Sequence, residues 1–168
     1  MSGVEVFTHL EQMPDASAVA LGFFDGVHIA HTAVIKKVLS CPGLVPTVLT
    51  FSAKNGLPGN KSDTKIILSD QQKIERFQFL GIKRVFIPNF SEISSLSAKS
   101  FLQDILYRRL HASMISCGYD YSFGHGAAGN VSMIQTFCAE NKIKFSALPA
   151  YVIYNCVVSS TVIREYLL

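Results

Sequence analysis

The chain has 168 residues, 49% of them hydrophobic, and 15 Lys and Arg against 12 Asp and Glu give it a formal charge of +3. That length fits one domain with its own core, and that hydrophobic content excludes a disordered chain. The basic excess is mild and scattered, which suits a phosphate-bearing small molecule and argues against nucleic acid, and no apolar run reaches the length of a membrane span.

The N-terminal MSGVEVFTHLEQMP has neither a basic n-region nor an apolar h-region, so no signal peptide is expected and the protein is expected in the cytoplasm. SAVALGFFD (17–25) reads as a strand, HIAHTAVIKKVLS (28–40) as a helix and VPTVLTF (45–51) as a second strand. NGLPGNKSDT (55–64) is punctuated by Gly, Pro, Asn and Ser and reads as a long loop. LSDQQKIERFQFLG (68–81) predicts a helix with Ser69 as N-cap, Gln72 reaching back in a capping box, and Gly81 closing it. KRVFIPN (83–89) is a third strand. SAKSFLQDILYRRL (97–110) is an amphipathic helix with Phe101, Leu102, Ile105, Leu106 and Leu110 on its apolar face. ASMISCGY (112–119) is a fourth strand, GNVSMIQTFCAEN (129–141) a helix and KFSALPA (144–150) a short strand. YVIYNCVV (151–158) is extended, and SSTVIREYLL (159–168) begins a last helix capped by Ser159 or Ser160. Cys41, Cys117, Cys138 and Cys156 form no C-x-x-C pair and read as reduced structural thiols.

Strands alternating with helices predict an α/β fold: a Rossmann-like, doubly wound, mostly parallel sheet with helices on both faces. Ligands of such sheets bind beyond the carboxyl ends of the strands, where strand order reverses.

Three stretches carry candidate chemistry. In GFFDGVHIAH (22–31) a helix starting near Gly26 or Val27 puts His28 and His31 on one face of its first turns, where free N–H groups and the helix dipole already favour an anion. Ordinary hydrogen-bonded histidines are the plain alternative, and zinc is a weaker one without a third ligand. In SSTVIRE (159–165) three hydroxyls open a helix and Arg164 follows one turn on, a second place for oxygen anions or simply an N-cap with a surface arginine. In GYDYSFGHGAAGN (118–130), Tyr119, Tyr121 and Phe123 flank Asp120; a ring-shaped ligand stacked there and a glycine-rich turn with core aromatics weigh evenly.

Together the three resemble the adenylyltransferase (FAD synthetase) module of bacterial bifunctional riboflavin kinase/FMN adenylyltransferases, with its G-x-F-D-G-V-H-x-G-H, G-x-[DN]-[FY]-x-F-G-x-G-x-x-G and V-S-S-T-x-I-R-x-x-L signatures in that order. The likeness covers essentially the whole chain, read as one nucleotidyltransferase domain over 1–168 without the riboflavin kinase domain that follows the module in the family. It implies transfer of AMP from ATP, as its Mg²⁺ complex, to FMN, giving FAD and pyrophosphate. Under it His28, His31 and Arg164 carry catalysis. Gly22, Phe23, Asp25, Gly26, Ser159, Ser160 and Thr161 join them in binding ATP. Thr50, Phe51, Asp120, Tyr121 and Phe123 face the flavin, and no residue is assigned to a metal. The chain departs from the pattern at Ala30 (for Gly), at Ser52–Asn55 (for Asp-Pro-His-Pro) and at His125, Ala127 and Ala128 (for basic residues). Two further readings stand beside the first: a related nucleotidyltransferase with another phosphorylated acceptor, such as phosphopantetheine or glycerol phosphate, and a domain that binds flavin or adenine nucleotide without turnover.

Overall fold

The computed structural model describes residues 3–52, 54 and 65–167. The elements run β1 (Glu5–Phe7), β2 (Ser17–Leu21), α1 (Ile29–Leu39), β3 (Val45–Leu49), α2 (Asp70–Leu80), β4 (Arg84–Phe86), α3 (Phe90–Ser94) and α4 (Ala98–Ser100), the last continuing as a π-helix over Phe101–Arg109. Then follow β5 (Ala112–Gly118), a 3₁₀ turn (His125–Ala127), α5 (Val131–Glu140), β6 (Lys144–Leu148), β7 (Val152–Ile153), β8 (Cys156–Val157) and α6 (Ser160–Leu167). The loop expected over 55–64 lies outside the described residues.

Six strands pair in the order β1-β4-β3-β2-β5-β6, every neighbour parallel. From β2 the chain steps outward through β3 and β4, then crosses back to β5 and β6 on the other side. The order therefore reverses between β2 and β5, the place where such sheets bind ligands. All five residues of β2 are buried. Ala18 and Ala20 face a core with Val34, Ile35 and Val38 of α1 and Phe77 of α2. Val19 and Leu21 face the opposite core, with Phe101, Leu102, Ile105 and Leu106 of the π-helix and Ile134 and Cys138 of α5. The period-2 alternation of β2 thus feeds two layers of helices, as doubly wound topology requires.

The predicted caps of α2 are present: Ser69 and Gln72 close the capping box, and Gly81 ends the helix at φ +102°. The amphipathic face expected over 97–110 is buried, but its second part bonds as a π-helix, with Leu110 N–H donating to Ile105 O at 2.9 Å. The extended reading of 151–158 resolves into an antiparallel hairpin, β7–β8. Its two loop residues, Tyr154 (φ 47°) and Asn155 (φ 63°), are both left-handed, as a tight hairpin turn demands. β1 was too short to show as a pattern; Arg84 pins this edge through Glu5 (2.9 Å) and Asp15 (2.7 Å). All four cysteines are free.

Candidate active site

Beyond Leu21 the chain leaves β2 through a turn in which Phe24 (φ 54°), Gly26 (φ 88°) and Val27 (φ 40°) are left-handed. Such residues cannot propagate a right-handed helix. α1 therefore starts at Ile29, not near Gly26 or Val27, and His28 is its N-cap instead of a member of its first turn. The two histidines still meet. His28 Nδ1 accepts the backbone N–H of His31 at 3.4 Å, and the rings stack with centroids 3.5 Å apart and planes 20° from parallel. The Phe24 ring stands edge-on to His31 at 5.3 Å. Two of the left-handed residues carry side chains, a strain that functional turns commonly hold.

Because His28 Nδ1 accepts, the proton of the neutral ring sits on Nε2. His28 Nε2 and His31 Nδ1 are both buried and make no hydrogen bond among the described residues. Burial pushes the His28 pKa down, against the pull of Asp25. His31 is pushed down to about 3, first by burial and then by the charges of His28 and Lys73. Above pH 6.5 the pair is therefore two neutral imidazoles at the positive end of a helix, each with one ring nitrogen whose hydrogen-bonding capacity is unused among the described residues.

The N-terminus of α6 docks on the same turn. Ser159 Oγ caps the helix by accepting the Val162 N–H at 3.2 Å, which settles the choice between the two serines. The Ser160 hydroxyl donates to the Asp25 carbonyl at 2.7 Å. The Asp25 side chain is 1% exposed; it pairs with Arg164 Nη2 at 2.5 Å and accepts the N–H groups of Ile67 (3.0 Å) and Leu68 (3.1 Å). Arg164 Nε donates to Lys65 O at 2.8 Å, and Thr161 is exposed. Asp25, Ser160 and Arg164 thus form one cluster with the histidine turn. Asp25 lies under the turn and not on its surface. Gly22 lies tight against Phe24, whose ring carbons a Cβ would meet at 2.9 Å.

At the end of β3, Thr50 is buried and its hydroxyl donates to Phe23 O at 2.8 Å. Phe51 stacks on Phe23 at 4.9 Å and lies 5.0 Å from Phe90, so rings following β2, β3 and β4 adjoin one another. Beneath Phe23 lies Lys73 of α2, 1% exposed and not among the residues expected at the site. Its ammonium donates to Phe51 O at 3.2 Å and Phe23 O at 3.4 Å and sits 4.5 Å from the centre of the Phe23 ring. The signal was available: Lys73 is one turn before Phe77, on the face that should be apolar.

After β5, Tyr119 and Asp120 are exposed. Tyr121 stacks on Phe123 at 5.9 Å, and Phe123, buried, lies 5.1 Å from Phe101. These two rings pack toward the core, whereas Phe23 and Phe51 are half-buried at the strand ends. Among the described residues no group of three or more His, Cys, Asp or Glu is placed to hold a metal ion, and no helix is long and apolar enough to cross a membrane.

A doubly wound parallel sheet, with a histidine-capped helix start at its switch point and a second helix start docked beside it, defines an α/β domain of the doubly wound class. The chain belongs to the FAD synthetase family, whose model matches residues 10–162. It is 31% identical over 166 residues to a bifunctional riboflavin kinase/FMN adenylyltransferase of Buchnera aphidicola subsp. Schizaphis graminum, covering 95% of this chain and 53% of that one. It is 30% identical over 153 residues to the protein of the same description from Listeria monocytogenes, covering 88% and 48%. The chain thus spans about half the length of these relatives. A solved structure described as a macrolide-efflux protein from Streptococcus pneumoniae has the same fold, with a TM-score of 0.80 over 96% of this chain and 57% of that one at 24% identity.

Proposed function

We propose that this chain transfers the adenylyl group of ATP to FMN, giving FAD and pyrophosphate. A phosphate oxygen of FMN attacks the α-phosphorus of ATP in line. The new P–O bond forms as the bond to the bridging oxygen of the β-phosphate breaks, and pyrophosphate leaves with the electron pair. No covalent protein nucleophile is required, so catalysis is positioning and charge stabilisation. ATP enters as its Mg²⁺ complex, the ion held by the phosphates as part of the substrate.

The observation that carries this reading is the stacked, neutral pair at the start of α1, with His28 Nε2 and His31 Nδ1 buried and unpartnered. His28 Nε2–H donates to a phosphate oxygen, and charge growing there is met by the positive end of the helix. Ser160 and Thr161 at the start of α6, with Arg164, hold the β- and γ-phosphates. A guanidinium has five N–H donors, so the Asp25 pair leaves capacity for a phosphate. Gly22, Phe23 and Gly26 line the nucleotide side; Thr50, Phe51, Asp120, Tyr121 and Phe123 belong to the flavin side. The inward packing of Tyr121 and Phe123 favours one alternative, a different phosphorylated acceptor.

The test is purified protein with FMN, ATP and Mg²⁺, followed by chromatography of the flavins. FAD formed together with pyrophosphate supports the reading. Pyrophosphate released only with another phosphorylated acceptor redirects the acceptor, and nucleotide binding without release makes the domain a binder.

A further inference from the structure

We propose that Lys73 is a positioning residue that fixes the spacing between the nucleotide wall and the acceptor wall of this site. The inference rests on the adenylyl-transfer reading for its kinetic consequence, but not for its geometry.

Lys73 lies where α2 should present an apolar side chain, and it is 1% exposed. An ammonium is costly to bury unless its hydrogen bonds are met. Here they are met by backbone: Phe51 O at 3.2 Å and Phe23 O at 3.4 Å, with Asp70 Oδ1 at 3.8 Å as counter-charge. The two carbonyls belong to the segments leaving adjacent strands, β2 and β3. Phe23 is on the nucleotide side and Phe51 on the acceptor side. One cation thus ties both walls to α2, while its charge also sits under the Phe23 ring, 4.5 Å from the centroid, and the two rings stack at 4.9 Å. The far end is anchored in turn: Asp70 Oδ2 accepts the Ser52 hydroxyl at 2.5 Å, so the first residue after Phe51 is held by the carboxylate that faces the lysine. Thr50 adds a second bond to Phe23 O. A methionine would fill the same volume without holding either carbonyl.

In-line transfer depends on the distance between acceptor oxygen and α-phosphorus, and misplacement by about 1 Å costs on the order of 100-fold. Loosening the strut should therefore lower kcat while each substrate, still gripped by its own wall, keeps its KM. In Lys73→Met the expected result is kcat down about 10- to 100-fold, with KM for ATP and for FMN changed less than threefold and an unchanged folded fraction. A purely structural lysine predicts instead a lower Tm with normal kcat per folded molecule, and that result overturns the proposal. Asp70→Asn keeps the lysine but slackens its anchor, and serves if Lys73→Met does not fold. It should lose about three- to tenfold in kcat, and no loss overturns the proposal. A second readout is independent of turnover: nuclear Overhauser contacts between the Phe23 and Phe51 rings, expected in the unsubstituted protein and lost in either variant. Wild-type protein that makes no FAD defeats the functional reading alone. Ring contacts that persist in Lys73→Met, or in Asp70→Asn where Lys73→Met does not fold, defeat the strut.

Discussion

Asp25 and Arg164 are 139 residues apart in the chain, and their side chains meet at 2.5 Å beneath the turn that carries the histidines. The pair joins the first strand-to-helix turn to the last helix. Because Ser160 donates to the carbonyl of the same aspartate, α6 is held at two points on one residue.

Arg164→Ala leaves a carboxylate that is 1% exposed with, among the described residues, the N–H groups of Ile67 and Leu68 as its remaining hydrogen-bond partners. Breaking a buried pair on one side typically costs about 3–5 kcal/mol; the two amide donors remaining here place the expected loss at about 2–4 kcal/mol. Arg164→Lys keeps a charge but not the fork that reaches both Asp25 and Lys65 O, and should fall between. Urea denaturation reads the stability, and an unchanged midpoint in the alanine variant would show that the pair does not hold α6.

His28 caps α1, and under the adenylyl-transfer proposal it also presents Nε2–H to a phosphate. Asparagine is a good N-cap but has no imidazole. His28→Asn should therefore melt within about 1 kcal/mol of wild type. FAD formation should nevertheless fall by about 100-fold or more, the scale for losing one preorganised donor to developing charge. His28→Ala should lose both. Activity surviving in His28→Asn would reduce the residue to a cap.

Gly124 is left-handed, φ +76°, and a Cβ there would meet the Ala98 backbone nitrogen at 2.8 Å. Backbone cannot swing aside as a flexible side chain can. Gly124→Ala should cost about 2–4 kcal/mol from strain and clash together. By contrast Gly126→Ala, with nothing within 4 Å, should cost about 1 kcal/mol from its φ of +62° alone. Thermal melts of the two variants side by side check the difference; equal losses would mean that the contact with Ala98 contributes nothing.

The alternation of short apolar runs with amphipathic stretches was enough to read the doubly wound sheet, because every central strand is buried on both faces and every long helix has one apolar side. Ser69, Gln72 and Gly81 marked α2 for the same reason: caps are local chemistry, written in neighbouring residues. The histidine pair was legible as a pair but the helix start was set two or three residues too early, because the left-handed residues Phe24 and Val27 carry side chains that ordinarily avoid that conformation. The link from Arg164 to Asp25 and the carbonyl partners of Lys73 were not legible. Each is made by tertiary contacts between residues 139 and 50 positions apart, and no local pattern encodes such a partner.

The depressed pKa of His31 sets the sign of a pH dependence. Unfolded, the ring takes up a proton near pH 6.5; folded, it stays neutral down to about 3. Between those values the unfolded state binds one proton more than the native state, so stability rises with pH. The contribution is complete above about pH 6.5 and is lost as pH falls toward 3, at about 1.4 kcal/mol per pH unit. His28, shifted in the same direction by burial, adds to the slope near the upper end. His31→Gln removes the titrating ring, and the difference in unfolding free energy between it and wild type, followed from pH 7.5 to 4.5 in urea, isolates the contribution of the ring. Wild type should lose stability faster than the variant below pH 6.5, and parallel slopes would mean that the ring is hydrated in the native state. Occupancy of the site reverses the balance, because a bound polyphosphate favours the imidazolium. Adding pyrophosphate should accordingly move the His31 resonance upward in an NMR titration, and binding should take up protons when measured by calorimetry in buffers of different ionisation enthalpy.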